Sequence, residues 1–148
     1  MTPEQIALVQ RTFADVLPMA DAAAALFYER LFTLDPTLRS LFHSDMHEQG
    51  RKLMAVLQLA VAGLSRLEEL VPSVQALGRR HRGYGVRDAH YATVGAALLW
   101  TLQEGLGERF TPEGQAAWTS AYTLLADTMR AAAEEEAAKE ALVEALLV

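Results

Sequence analysis

The 148-residue chain has no cysteine and only two lysines. The lack of cysteine excludes disulfides, thiolate metal ligands and thioether attachment of a cofactor. A net charge of −6 with so few lysines argues against nucleic-acid binding, which normally needs a basic face. Charged residues interrupt every apolar run before the roughly 18 residues of a membrane-spanning helix, and the N-terminus lacks a secretory signal. We therefore expect one soluble, cytoplasmic domain without membrane insertion.

Strand signals are also missing, since no alternating, β-branched-rich runs are bounded by hairpin turns. Helix start and stop signals recur instead, and the sequence predicts an all-α fold of about seven helices. The predicted starts are Thr2-Pro3, Asp21, Asp35-Pro36, Asp88 and Thr111-Pro112, and Pro18 and Gly107 are predicted ends.

The last helix is predicted to continue beyond the core, because residues 131–141 are rich in alanine and glutamate. We divide the chain into a domain at 1–132 and a helical extension at 133–148. Leu142, Val143, Leu146 and Leu147 would give the end of the extension an apolar face.

His81 is the first candidate for chemistry. It follows Val74 and Leu77 on the apolar face of a predicted helix near 68–82. A neutral imidazole in that position can bind haem iron while its other nitrogen bonds a backbone carbonyl. Spacing alone leaves a second reading open, a core histidine that is satisfied by a hydrogen bond.

Two further polar residues, Tyr28 and Gln49, are predicted on the inward faces of separate helices. Buried polar groups need partners, so the two side chains either serve a site or have local roles. The local roles would be a core aromatic for Tyr28 and a solvated helix start for Gln49.

Together with these residues, several segments agree in order and spacing with a known family. They are LFYERLF (26–32), DPTLRSLF (35–42), EQGRKLM (48–54), and LGRRHRGYGV with HYATVG between 77 and 95. From about residue 3 to residue 130 the chain resembles the single-domain bacterial globins and the globin domain of flavohaemoglobins. The resemblance implies a globin fold around haem b, with residues 1–132 as the globin domain.

By that resemblance, His81 is the proximal ligand of the iron and Phe42 is the aromatic wedge against the haem. The other predicted cofactor contacts are Leu53, Leu77 on the His81 face, Val86 at the haem edge, and Tyr91. Tyr28 and Gln49 fall in the distal pocket beside the bound gas, with Leu53 as its apolar wall. Hydrogen bonds from the two distal donors to a partly negative oxygen ligand would make oxygen release slow.

Tyr91 also matches the family, in which a tyrosine and a glutamate surround the proximal histidine and strengthen its electron donation. Counted from Trp118, the glutamate position falls on Ala133, with Glu134 adjacent. The missing glutamate favours tight oxygen binding over dedicated catalysis.

The sequence leaves two roles open for several other histidines and arginines. His43 and His47 are either loop residues in solvent or alternative iron ligands in the absence of gas. Arg79, Arg80 and Arg82 either reach a haem propionate or lie at a solvated helix end. We assign no role to His90.

Four functions follow from these expectations. The first is reversible binding of oxygen, or of another diatomic gas, for storage or delivery by a monomer or homodimer. The second is a nitric oxide dioxygenase that depends on a separate reductase, because the chain has no room for flavin and nicotinamide domains. A gas sensor and a globin fold without its cofactor are weaker alternatives.

Overall fold

The computed structural model describes residues 1–43 and 45–147. Ser44 in the predicted loop, the side chain of Leu147 in the predicted apolar face, and Val148 lie outside the described residues. The described residues form six α-helices and no strand, which confirms the all-α prediction. The helices are α1 (Pro3–Val16), α2 (Ala20–Leu34), α3 (Met46–Gly63), α4 (Leu67–Gly83), α5 (Asp88–Leu106) and α6 (Pro112–Leu147).

Four short 3₁₀ turns connect these helices, at Leu17–Met19, Pro36–Leu41, Leu64–Arg66 and Gly107–Arg109. The predicted seventh helix is the turn Pro36–Leu41, so the described residues contain six α-helices where we expected about seven. Asp35 caps this turn, with its Oδ1 accepting from the Thr37 amide at 3.1 Å. A six-residue 3₁₀ turn is too short to provide an independent packing face.

Most predicted helix boundaries are confirmed. Thr2 and Gln5 form a capping box at the start of α1, with both reciprocal hydrogen bonds present. Thr111 accepts from the Gly114 amide at 3.1 Å at the start of α6. Gly107 ends α5 at φ 56°, a conformation that glycine adopts without strain.

Two predicted caps are wrong. Asp21 lies inside the first turn of α2, because the 3₁₀ turn after Val16 passes directly into a helix that begins at Ala20. Asp88 is the first residue of α5, and His90 caps that helix instead, its Nδ1 accepting from the Arg87 amide at 2.9 Å. Both aspartates still favour the helix start, since negative charge there interacts well with the helix dipole.

The core is built around α1, α2, α5 and the first half of α6. Trp118 is buried, packs against Phe13 with ring centroids 6.1 Å apart, and donates from Nε1 to Thr12 Oγ1 at 2.8 Å. Trp100, which we also expected in the core, is only half-buried, and the Arg30 guanidinium lies 5.1 Å from its ring.

Two glycines allow helices to approach closely. A Cβ at Gly50 of α3 would lie 2.9 Å from the Ala24 Cβ of α2. A Cβ at Gly78 of α4 would lie 2.3 Å from the backbone oxygen of Met129 in α6. Any larger residue would push these helix pairs apart. The two contacts position the two sides of the site described below.

Helix α6 continues without a break through residue 132, so the predicted division at 132 falls within one helix. Its later part runs along α4, where Ala132 is buried and Glu140 pairs with Arg82 at 2.8 Å. Leu142, Val143 and Leu146 are exposed. Within the described part of the chain, no helix is both long and apolar enough to cross a bilayer.

Candidate functional site

His81 lies in the last turn of α4, with one ring nitrogen already engaged. Its Nδ1 donates to the Leu77 carbonyl at 2.8 Å, because a carbonyl oxygen only accepts. This bond fixes the tautomer and leaves the Nε2 lone pair available for a metal. Burial, and then the nearby Arg80 cation, lower the pKa of His81 below its ordinary value, although the bond to Leu77 opposes them. The imidazole is therefore neutral at neutral pH, as a metal ligand must be.

The chain reversal after α4 brings Val86 back to His81. Gly85 adopts φ 95°, its amide donates to the Arg82 carbonyl at 3.0 Å, and the Val86 amide donates to the His81 carbonyl at 3.0 Å. These two bonds form a Schellman motif, which ends a helix and returns the next residue to the last turn. The half-buried Val86 is thereby held beside His81.

Tyr28 and Gln49 meet on the other side of the site. The crossing of α2 and α3 at Ala24 and Gly50 places Tyr28 one turn beyond the contact and Gln49 directly before it. Their side chains are hydrogen-bonded to each other. Tyr28 is buried and Gln49 is half-buried. Burial raises the pKa of Tyr28, and the bond to Gln49 opposes part of that shift, so the phenol is protonated and able to donate.

Phe42 holds the Tyr28 ring in place. The two rings are in edge contact with centroids 5.3 Å apart, and Phe32 stacks on Tyr28 at 6.0 Å and contacts Phe42 at 5.6 Å. Phe42 directly follows the 3₁₀ turn Pro36–Leu41, so the turn determines where this ring lies. The three rings restrict the Tyr28 hydroxyl to a narrow range of positions.

The apolar stripe of α3 is only partly covered. Leu53 and Leu57 are half-buried and line a small apolar cavity of about 20 Å³ together with Phe27 and Leu98. Val56, which we placed in the same stripe, is 41% exposed. Leu77, on the His81 face of α4, is also half-buried. Incompletely covered apolar side chains on α3 and α4 fit contact with a flat apolar group such as a porphyrin.

Tyr91 is buried near the start of α5 and is bound to α6. Its carbonyl accepts from the Tyr122 hydroxyl at 2.6 Å, and the Arg130 guanidinium lies 5.8 Å from its ring centroid. Glu134, one residue after the predicted glutamate position, is exposed. The Arg130 guanidinium is held by an ion pair with Asp127. Burial, and then the nearby Asp88 carboxylate, raise the pKa of Tyr91, and Arg130 opposes them.

The remaining histidines have different surroundings. His43 is exposed. His47, also exposed, lines a cavity of about 400 Å³ that reaches Tyr28 and Arg39. His90, to which we assigned no role, caps α5. A polar residue at the third position of a helix is the signal that predicts this cap.

The structure thus assembles two of the predicted groups. His81, Leu77 and Val86 come together at the end of α4, and Tyr28, Gln49 and Phe42 come together between α2, α3 and the turn Pro36–Leu41. One free imidazole nitrogen on one side and two polar donors on the other fit a haem that binds a small ligand.

Comparisons with known proteins agree with this arrangement. Residues 25–129 match the family model described as Globin. The chain is 34% identical over 132 residues to the flavohemoprotein of Bordetella parapertussis, which covers 87% of this chain and 33% of the relative. It is 28% identical over 125 residues to the Bacillus subtilis flavohemoprotein, covering 82% of this chain and 31% of the relative.

A third relative, the neuroglobin of Tetraodon nigroviridis, is 33% identical over 118 residues, covering 70% of this chain and 74% of the relative. The chain spans about a third of the length of the flavohemoproteins that it matches.

Proposed function

Because the chain belongs to the globin family, we propose that it holds haem b through His81 and binds oxygen tightly through donors on Tyr28 and Gln49. Family membership makes it a haem protein that binds a diatomic gas. The choice of oxygen depends mainly on one observation, the buried and hydrogen-bonded pair Tyr28–Gln49.

His81 supplies the proximal side. Its Nδ1–H bond to Leu77 holds the ring in one tautomer and makes Nε2 a better electron donor. The bond between the Val86 amide and the His81 carbonyl fixes the backbone from which the ring projects. The imidazole is therefore oriented before any cofactor arrives.

Haem supplies an iron that binds oxygen reversibly and passes electron density to it. Tyr28 and Gln49 then act as donors toward a partly negative ligand, and each charge-assisted hydrogen bond is worth about 1.5–3 kcal/mol. Carbon monoxide acquires much less negative charge, so the same donors favour oxygen selectively. Phe42 and Leu53 exclude water, which would otherwise compete for both donors.

The test is reconstitution of the full chain with haemin. We expect a Soret band, a stable oxygenated form after reduction, and slow oxygen release in stopped-flow mixing. The His81→Gly variant should lose the five-coordinate ferrous spectrum and regain it with added imidazole. A chain that takes up no haemin, or a variant with an unchanged ferrous spectrum, would contradict the proposal.

A second candidate is nitric oxide dioxygenation with a separate reductase. The match to flavohemoproteins, whose name joins a flavin to a haem, favours it. The alanine at position 133 disfavours it, because the glutamate that would strengthen electron donation by His81 is missing there. Sustained nitric oxide consumption with a reductase present would indicate turnover, and a single stoichiometric burst would indicate binding alone.

A further inference from the structure

The end of α4 carries a basic surface on an otherwise acidic chain. The net charge of the chain is −6, yet residues 79–87 contain four of its 13 basic residues and no acidic one. We call this region the arginine surface. It consists of Arg79, Arg80, Arg82, Tyr84 and Arg87.

Tyr84 belongs to the arginine surface, and its ring contacts that of His81. It is 63% exposed, and its ring centroid is 6.0 Å from that of His81. Arg80 lies one turn before Tyr84, so the two side chains are neighbours on the helix. Arg79, Arg80 and Arg87 are exposed. Tyrosine and arginine are the residues that most often dominate protein–protein contacts.

The arginine surface already binds a carboxylate from a distant part of the chain. Arg82 pairs with Glu140 at 2.8 Å across 58 residues of sequence. The surrounding segment of α6 is acidic, since residues 134–144 contain five glutamates and one lysine. An acidic helix therefore rests against one edge of the surface, while the other three arginines stay open to solvent.

We propose that the arginine surface binds a small acidic electron-carrier protein, which transfers an electron to the haem by way of Tyr84 and His81. The inference rests on the proposed binding of haem by His81. Charge complementarity points to an acidic partner. The contact between Tyr84 and His81 gives a redox partner a short route from the surface to the proposed iron ligand. With a flavin carrier, the hydroquinone anion gives up one electron and becomes the neutral semiquinone. That electron reduces ferric iron to ferrous, and no proton or bond is exchanged.

The experiment uses flavodoxin, an acidic flavoprotein, as the probe. Photoreduced flavodoxin is mixed with the ferric, haem-loaded full chain, and the second-order rate constant is measured against ionic strength. We expect a rapid reaction at low salt that slows steeply as salt screens the opposite charges, on a Debye length of about 10 Å at 0.1 M. A rate constant that does not depend on salt would overturn the proposal.

Two double variants locate the docking surface. Arg79→Gln with Arg87→Gln should slow the reaction about fivefold or more at low salt and flatten its salt dependence. The control, Arg11→Gln with Arg66→Gln, removes two exposed arginines elsewhere and should change the rate less than twofold. Equal losses in the two variants would show that only net charge matters, which would overturn the proposal.

A single variant predicts the opposite effect. Glu140→Gln removes the carboxylate that pairs with Arg82, so the reaction should become about two to five times faster. Glu113→Gln is the matched control, because it removes an exposed glutamate at the other end of α6. Identical rates for these two variants would contradict a role for the arginine surface.

Neutral lumiflavin semiquinone, used as a second reductant, distinguishes the loss of docking from a change in the haem environment. It carries no charge to be steered, so all variants should react with it at the same rate. If Arg79→Gln with Arg87→Gln slows both reductants equally, the haem environment has changed and the docking proposal is overturned. A chain that takes up no haem overturns the proposed function as well, whereas a haem-loaded chain without charge-dependent reduction overturns only the docking surface.

Discussion

Replacement of Tyr28 by phenylalanine removes one hydroxyl from the ligand side of the site and keeps the ring. The ring contacts with Phe32 and Phe42 stay possible, so the packing should change little. The lost group is a buried donor that is hydrogen-bonded to Gln49 in the gas-free protein. The expected result is faster oxygen release at unchanged haem content.

The magnitude follows from two opposing hydrogen bonds. A bond from Tyr28 to a partly negative oxygen ligand is worth about 1.5–3 kcal/mol. Its formation weakens the bond between Tyr28 and Gln49, a neutral pair worth about 0.5–1.5 kcal/mol. The mid-values of these two ranges leave a net loss of about 1.2 kcal/mol on replacement, which corresponds to roughly eightfold faster release.

Stopped-flow oxygen dissociation measures this effect. Carbon monoxide dissociation from the same variant should change less than about threefold, because that ligand accepts a weaker hydrogen bond. Tyr122→Phe is the matched control, since its hydroxyl bonds the Tyr91 carbonyl, and its oxygen release should stay at the wild-type rate. An oxygen off-rate within twofold of wild type in Tyr28→Phe would refute the assignment of Tyr28 as a donor.

The Gln49→Leu variant tests the second proposed donor. It removes the second donor but also frees the Tyr28 hydroxyl from its partner. Because the two side chains are bonded to each other, the effects of Gln49→Leu and Tyr28→Phe should not add in the double variant. Additive effects would mean that the two residues do not share one ligand.

Three further predictions concern pH and stability. Burial raises the pKa of Tyr28 above its ordinary value of 10.0, so its hydroxyl stays protonated. The oxygen off-rate should therefore be constant from pH 7 to about 10. An off-rate that rises with a midpoint below pH 9 would contradict this. Gly78→Ala should lower the free energy of unfolding by about 1–3 kcal/mol and speed haem loss, because its Cβ would meet the α6 backbone at 2.3 Å. Gly83→Ala, with no atom within 4 Å of the added Cβ, is the control and should unfold like wild type in urea. Tyr122→Phe should cost about 0.5–1.5 kcal/mol of stability through its lost bond to Tyr91, and an unchanged urea midpoint would count against that bond.

The sequence predicted the helices that begin or end at local signals. Thr2, Thr111 and Gly107 act within a few residues of themselves, so their roles are visible in the sequence. The cap assigned to Asp21 was wrong because a 3₁₀ turn moved the helix start by two residues, from the expected Ala22 to Ala20. Such a shift depends on how Leu17–Met19 pack, which no local pattern encodes.

In the candidate site, too, local features could be predicted from the sequence and contacts between distant residues could not. The position of His81 on an apolar face could be read from spacing, and its partner Leu77 lies four residues earlier. The resemblance to globins, rather than the residue pattern, brought Tyr28 and Gln49 into one pocket. The pair between Arg82 and Glu140 spans 58 residues, so no local pattern predicts it.

The bond between Trp118 and Thr12 joins residues 106 positions apart. Synthesis on the ribosome proceeds from the N-terminus, so α1 leaves the ribosome long before α6, which carries Trp118, has been made. The apolar face of α1, with Val9 and Phe13, also packs against α3 and α5, but the part that Trp118 covers stays open until α6 emerges. Native packing of this globin can therefore be completed only after α6 has left the ribosome, and the newly made domain depends on this late closure by α6.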